Sequence, residues 1–368
     1  MLYFDNASTT KISKVSLDAY ISESESFYNP SSLYAPSSEI KKEIENTRAY
    51  ILKRFKAKAG STFIFTGSAT ESNNAVLHSC ITRKDKKYIF SAGEHSSIYE
   101  TAKYYKEQGY NIVFVPLNAN GSVDSEALLN ALDDNVAFVS IIHVSNETGA
   151  INDIKSIVKD IKTYNKNILV HSDGVQAVGK LDINLNDLGV DYYTISAHKI
   201  NGPKGIGGLF ITNPNKYKPL LHGGGQEMSL RSSTENTPAI KAFKIAIENI
   251  KIKDYTEHKK AIIDNLSGDY ILVSDDHCVD NIISICFKDV RGETIAHMLE
   301  IQGYLVGTGS ACNSKAGYNR VLETIVPKGY VGGAIRLSYG EDIGIKDCID
   351  VAKALSTAVK EYTERIKR

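Results

Sequence analysis

The chain has 368 residues, 42% hydrophobic and 23% charged, an ordinary balance for a globular protein with a large core. Lys plus Arg and Asp plus Glu are 43 each, so the net charge is near zero. That argues against a nucleic-acid or membrane-surface binder, because both need a basic excess to meet phosphates.

The N-terminal MLYFDNASTT has no positive segment and no apolar segment of the secretory kind, and no apolar run is long enough to cross a bilayer. The five cysteines (Cys80, Cys278, Cys286, Cys312 and Cys348) are odd in number and form no CxxC pair. This pattern fits neither a disulfide framework nor a zinc site, and predicts reduced thiols in a cytoplasmic protein.

In chain order, residues 37–55 predict a helix with Ile40, Ile44, Ile51 and Phe55 on one face. From about 60 to 212, seven β-rich runs follow: STFIFT, KYIFS, NIVFVP, VAFVSIIHV, ILVHS, YYTIS and GGLFIT. Helical patterns lie between several of them, such as Ile154, Ile157, Val158 and Ile161, or VDSEALLNAL with Asp124 as its N-cap. Strands that alternate with helices and are apolar on both faces predict an α/β fold with a mostly parallel sheet. Ligands of such sheets sit at the carboxyl ends of the strands. One more helix is predicted from about 238 to 265. From about 268 a smaller α/β unit follows: YILVS, IISICF, a helix near 292–302, AIRLSY and a C-terminal helix to Arg368. A domain boundary is expected near 250–268.

Polar residues recur just after the apolar strands. FTGSATESNN reads as strand, turn and helix start, where backbone N–H groups with Ser68 and Thr70 suit a phosphate. An ordinary capped helix is the alternative. His95 follows KYIFS, and Asn146 follows VSIIHV; either could be an unremarkable loop residue. ILVHSD ends in Asp173, with Gln176 behind it. A buried carboxylate needs a cation, which a protonated pyridine nitrogen, a Lys or an Arg could supply. YYTISAHKINGPKGIGG places Ser196, His198 and Lys199 between a strand and a glycine-rich loop containing Gly202, Gly205 and Gly207. An amine desolvated there can form a Schiff base. Together these residues provide an anchor, an acid, a platform and an amine, the requirements of a pyridoxal-phosphate site. Further on, Cys312 sits in the small-residue segment GTGSACNS, a setting for a mobile nucleophilic thiol or for a surface thiol without a role. Arg336 in AIRLSY suits a carboxylate clamp or an ordinary ion pair.

These motifs, with HGGGQE and LRSST, resemble the cysteine desulfurases, within the class-V aminotransferase group of fold-type-I pyridoxal-phosphate enzymes. The resemblance runs from YFDNASTT to AIRLSYGED. It implies a large domain over 14–255 with a seven-stranded sheet, and a small domain over 1–13 and 256–368 carrying the cysteine loop. It implies that Lys199 binds pyridoxal 5'-phosphate covalently, Asp173 pairs with the ring nitrogen and Gln176 reaches the ring hydroxyl. His95 stacks on the ring and relays protons. Thr70, Ser196, His198 and the backbone at Ala69 bind the phosphate, and Thr234 reaches a phosphate across a homodimer interface. Asn146, also near the cofactor, and Arg336 hold the carboxylate of L-cysteine. Cys312 carries the persulfide to an acceptor protein: an iron–sulfur scaffold, a tRNA-thiolation enzyme or another thiolation enzyme. A cystine or selenocysteine lyase and a small-amino-acid aminotransferase are the alternatives on the same fold.

The chain departs from the family pattern in the order Gly67-Ser68, in Ser233 for a common Gly, in Tyr34 where many members have His, and in Glu341 where close relatives often have Arg. It ends at its last helix, where members that dock an iron–sulfur scaffold often carry a longer tail, so a different acceptor is expected.

Overall fold

The computed structural model describes residues 1–308 and 319–366. A short strand, β1 (Leu2–Phe4), is followed by helices Lys14–Ser24 and Ala35–Arg54. Seven strands come next: β2 (Thr62–Thr66), β3 (Lys87–Ser91), β4 (Asn111–Val115), β5 (Val136–Ser140), β6 (Leu169–Asp173), β7 (Tyr192–Ser196) and β8 (Gly207–Ile211). They coincide with the seven apolar runs and form one sheet in the order β2-β8-β7-β6-β5-β3-β4. Only β8 runs against its neighbours.

Strand alternation divides the side chains between two helical layers. Phe63 and Phe65 of β2 join a cluster with Ile40, Ile44 and Ile51 of helix Ala35–Arg54 and with Ile157 and Ile161 of helix Ile154–Tyr164. Ile64, between them, joins the opposite cluster, with Val76 and Leu77 of helix Ala69–Cys80 and Ile98 and Ala102 of helix Ser96–Glu107. Each such side chain, buried from water, contributes roughly 1.5–3 kcal/mol.

A second sheet takes β9 (Tyr270–Leu272), β10 (Ile282–Phe287), β11 (Tyr304–Thr308) and β12 (Ala334–Ser338) in the order β1-β11-β12-β10-β9. Phe4, Ile283, Ile285, Leu337, Leu299 of helix Gly292–Ile301, and Val351 and Leu355 of helix Ile345–Ile366 form its core.

Several local expectations need correction. The stretch 238–265, predicted as one helix, is two: Thr237–Glu248 and Thr256–Ile263. Asp254 accepts from the Thr256 N–H and hydroxyl at 2.9 and 2.7 Å, and so starts the second helix afresh. The run VAFVSIIHV is strand only to Ser140. Beyond it, the N–H groups of Ile141 and His143 still donate to His171 and Asp173 carbonyls of β6, so the chain continues beside the sheet and delivers Asn146 to its carboxyl edge. β1, β11 and helix Lys14–Ser24 were not anticipated. Three residues are too few for period-2 alternation to register, and LVGT runs into small residues that read as loop.

Candidate active site

A cavity of about 400 Å³ opens at the carboxyl ends of β6 and β7, with Thr308 of β11 and Arg336 of β12 on its small-sheet side. Ala69, Thr70, His95, Asn146, Asp173, Gln176, Ser196, His198, Lys199 and Arg336 all line it. Two candidates do not join them. Thr234 is exposed and away from the cavity, and Cys312 lies outside the described residues.

The anion cradle is built locally. Ser68 N-caps helix Ala69–Cys80, accepting from the Glu71 N–H at 3.1 Å, while Glu71 reaches back to the Gly67 N–H at 2.8 Å. This reciprocal pair explains how the Gly67-Ser68 order still makes the turn. A Cβ on Gly207 would lie 2.7 Å from the Ala69 nitrogen, so glycine lets β8 approach the helix start. Arg231 grips Glu71 with two bonds, 2.7 and 3.1 Å, tying the LRSST segment to the cradle.

Asp173 ends β6 and is 3% exposed. It accepts from Asn73 Nδ2 at 2.8 Å and from the Val175 N–H at 3.0 Å. Among the described residues it makes no salt bridge, so a buried acid faces the cavity without a cation of the protein's own. The Lys199 amine donates to the carbonyls of Ala7 at 2.5 Å and Ser8 at 2.7 Å. Gln176 donates to the same Ala7 carbonyl at 2.8 Å and accepts from Lys180 at 3.1 Å. The segment Ala7–Thr9 is thus part of the wall, and its backbone role left no side-chain signal in the sequence.

Both cavity histidines are shifted below the usual histidine range. Burial pulls His95 below the usual histidine range, opposed by the Asp173 charge and aided by Lys199. Burial, with Lys199, Lys204 and His95, takes His198 down to about 4, and its Nδ1 lies 3.1 Å from Thr9 Oγ1. Next to His95, the buried Glu94 is pushed well above the carboxylate range by burial and by Asp173.

Arg336 both reaches the cavity and is ion-paired. It donates to Asp5 at 2.9 Å, Ser8 Oγ at 2.8 Å and the Asn146 carbonyl at 2.8 Å, with Glu147 at 3.7 Å. The Asn146 amide itself donates to Glu147 at 2.7 Å. Glu341, where close relatives often have Arg, pairs with Lys253 at 3.6 Å and does not line the cavity. Tyr34 is half exposed, its ring edge-on to Tyr28, also away from the cavity. Asn73, Glu147 and Arg320 were missed in the sequence. Arg320 donates to the Ala92 and Glu94 carbonyls and lies over the Tyr99 ring at 3.6 Å, clamping the turn that carries His95. Its partners are backbone atoms far away in sequence, which no motif encodes.

The class-V aminotransferase family model matches residues 2–342. The chain is 36% identical to the cysteine desulfurase IscS of Dictyoglomus turgidum over 357 residues, covering 92% of this chain and 89% of that protein. Among solved structures, a NifS-like protein superposes with a TM-score of 0.87 at 30% identity, covering 98% of this chain and 99% of the other. A structure described as SspA in complex with cysteine superposes with a TM-score of 0.82 at 26% identity, over 92% and 98%.

Proposed function

Because the chain belongs to the class-V aminotransferase family and is a cysteine desulfurase, we propose that its cavity holds pyridoxal 5'-phosphate, attached to Lys199, and delivers substrate sulfur to Cys312. The observation that carries this is the buried Asp173 carboxylate, without a protein cation, in one cavity with the Lys199 amine and a helix N-terminus. Those are the partners that a pyridinium nitrogen, an aldehyde and a phosphate require. When bound, the cofactor supplies an aldehyde that takes up amines and a ring that accepts the electron pair released at Cα.

In this reading Ala69, Thr70, Ser196 and His198 bind the phosphate, Asp173 pairs with the ring nitrogen, Gln176 donates to the ring hydroxyl and His95 covers the ring face. Asn146 also contacts the cofactor and, with Arg336, holds the substrate carboxylate. The Lys199 amine would take the Cα proton of the substrate. The Cys312 thiolate attacks the sulfur of L-cysteine, an S–S bond forms as the C–S bond breaks, and the carbon product leaves as L-alanine after taking up a proton. The test is to incubate the purified protein with L-cysteine and follow alanine. The wild type should produce it catalytically, and Cys312→Ser should not. Many turnovers of alanine from Cys312→Ser would sink the persulfide step and favour a lyase.

A substrate carboxylate must compete with Asp5 and Glu147 for Arg336. Arg336→Lys removes the planar fork but keeps a charge. It should raise KM for cysteine about tenfold or more with a smaller change in kcat, measured by steady-state alanine release. An unchanged KM would remove Arg336 from the substrate site.

The reading extends to assembly. Thr234, exposed here, reaches the phosphate of a second copy, and Val15, Ile21, Phe27 and Leu33, exposed by 51, 54, 81 and 100%, form part of the covered surface. Sedimentation should give a dimer, and Leu33→Asp should weaken it. A wild-type monomer at working concentration would refute this. The division into domains 14–255 and 1–13 with 256–368 is supported by the two sheets and their largely distinct cores, although Ala7, Val279 and Ile282 pack into the large-sheet core. A cytoplasmic location is in keeping with buried, unpaired Cys80, Cys278, Cys286 and Cys348. No helix among the described residues is long and apolar enough to cross a membrane. The acceptor is a protein that takes up persulfide sulfur, for iron–sulfur assembly, tRNA thiolation or another thiolation.

A further inference from the structure

Asp173 and His95 are joined by two side chains that have no role in the reaction as described so far. Asn73, on helix Ala69–Cys80, is fully buried, and Ser97, in the first turn of helix Ser96–Glu107, is 8% exposed. Asn73 Nδ2 lies 2.8 Å from Asp173 Oδ2 and 2.9 Å from Ser97 Oγ. Ser97 Oγ lies 2.8 Å from His95 Nδ1, and the Ser97 backbone N–H approaches the same nitrogen at 3.2 Å.

The direction of each bond follows from what each group can give. An ionised carboxylate only accepts, so Asn73 must turn its NH2 toward Asp173. Flipping the amide would set its oxygen against the Asp173 carboxylate and leave its NH2 on the side where, among the described residues, the buried amide oxygen has no partner. The second amide hydrogen goes to Ser97 Oγ. That hydroxyl has one proton of its own, and its remaining neighbour is His95 Nδ1. Nδ1 therefore faces two donors, the Ser97 hydroxyl and the Ser97 N–H, and must itself accept. A neutral ring that accepts at Nδ1 carries its proton on Nε2. Burial, Lys199 and Arg320 pull the ring below the usual histidine range against Asp173 and Glu147, which favours the neutral form.

We propose that Ser97 is a positioning residue: through Asn73 it ties the Asp173 carboxylate to His95 and holds the imidazole with its proton on Nε2. His95 then enters the reaction as a hydrogen-bond donor or acid at Nε2, and can serve there as a base only after that proton has left. The tautomer stands independently of the cofactor reading; its effect on turnover rests on that reading.

The test uses the purified full chain with its cofactor, labelled with nitrogen-15 histidine, the His95 signals being assigned by their loss in His95→Gln. The wild type should show an unprotonated Nδ1 and a protonated Nε2. Ser97→Ala removes the stronger donor and leaves the longer backbone contact, so the Nδ1 resonance should move and an Nδ1–H form should appear. Ser97→Thr should restore the original spectrum. In Ser97→Ala, kcat should fall about tenfold with KM within about twofold. A wild-type Nδ1–H tautomer, or His95 signals unmoved by Ser97→Ala, overturns the proposal. A correct tautomer with unchanged kcat overturns its part in turnover. Cofactor absorbance is read on the same samples, so failure to bind cofactor would count against the cofactor reading and not against the relay.

Discussion

Lys199→Ala is expected to lower alanine formation from cysteine by at least about 10²–10⁴-fold, the range that one positioned proton-transfer group supplies, with further loss from the missing attachment point. Among the described residues the other lysine on the cavity wall is Lys204. Lys180 is committed to Gln176 at 3.1 Å, and Lys204 sits five residues along in the glycine-rich loop. Burial takes Lys180 down to about 7, so its charge is easily lost, yet its amine serves the Gln176 amide. Without the Lys199 amine, the Ala7 and Ser8 carbonyls lose the donor they now share. Alanine release in single-turnover and steady-state assays measures the effect. A variant that kept a tenth of wild-type turnover would show that the Cα proton leaves by another route.

Glu227→Ala should be the most destabilising single change away from the cavity, by about 3–5 kcal/mol, read from the denaturant midpoint. β2 is the edge of the large sheet and has no strand beyond it. Its place is taken by an ion pair. Glu227 accepts from the Phe65 N–H at 2.8 Å and from Arg48 at 2.7 Å, while Arg48 donates to the Phe63 carbonyl. Both side chains are almost wholly buried. Removing the carboxylate leaves the buried Arg48 guanidinium with only the half-exposed Glu45, at 3.1 and 3.2 Å, as its ion-pair partner, and leaves the strand N–H unpaired. Part of that loss is offset where Glu227, Met228 and Ser229 relax from three successive left-handed conformations, φ 49, 58 and 65°, which no glycine relieves. The double change Arg48→Met with Glu227→Leu should cost less than Glu227→Ala alone, because it removes the buried charge together with its buried partner. Equal losses would mean that the pair is not what closes the edge.

The architecture of the large sheet was legible because its strands are apolar on both faces and its helices carry stripes, as in Ile154, Ile157, Val158 and Ile161. Polar residues at the ends of such strands stood out for the same reason. Asp173, Ser196 and Lys199 break an apolar pattern, and a fold that places strand ends together places them together. The split of helices Thr237–Glu248 and Thr256–Ile263 was not legible, since Ile250 and Ile252 continue an apolar pattern that only the Asp254 turn interrupts.

By itself, then, the sequence determined the α/β class and the seven strands and marked Asp173, Ser196 and Lys199 among the cavity's lining residues, because hydrophobic period and strand-end polarity are local properties that need no partner. Tertiary structure alone decided which atoms those side chains meet. That Ala7 and Ser8 carbonyls receive the Lys199 amine, that Asn73 and Ser97 connect Asp173 to His95, and that Arg320 clamps the His95 turn all depend on contacts between segments tens to hundreds of residues apart. Hydrogen-bond direction and desolvation are set by such neighbours, and composition and spacing carry no record of them.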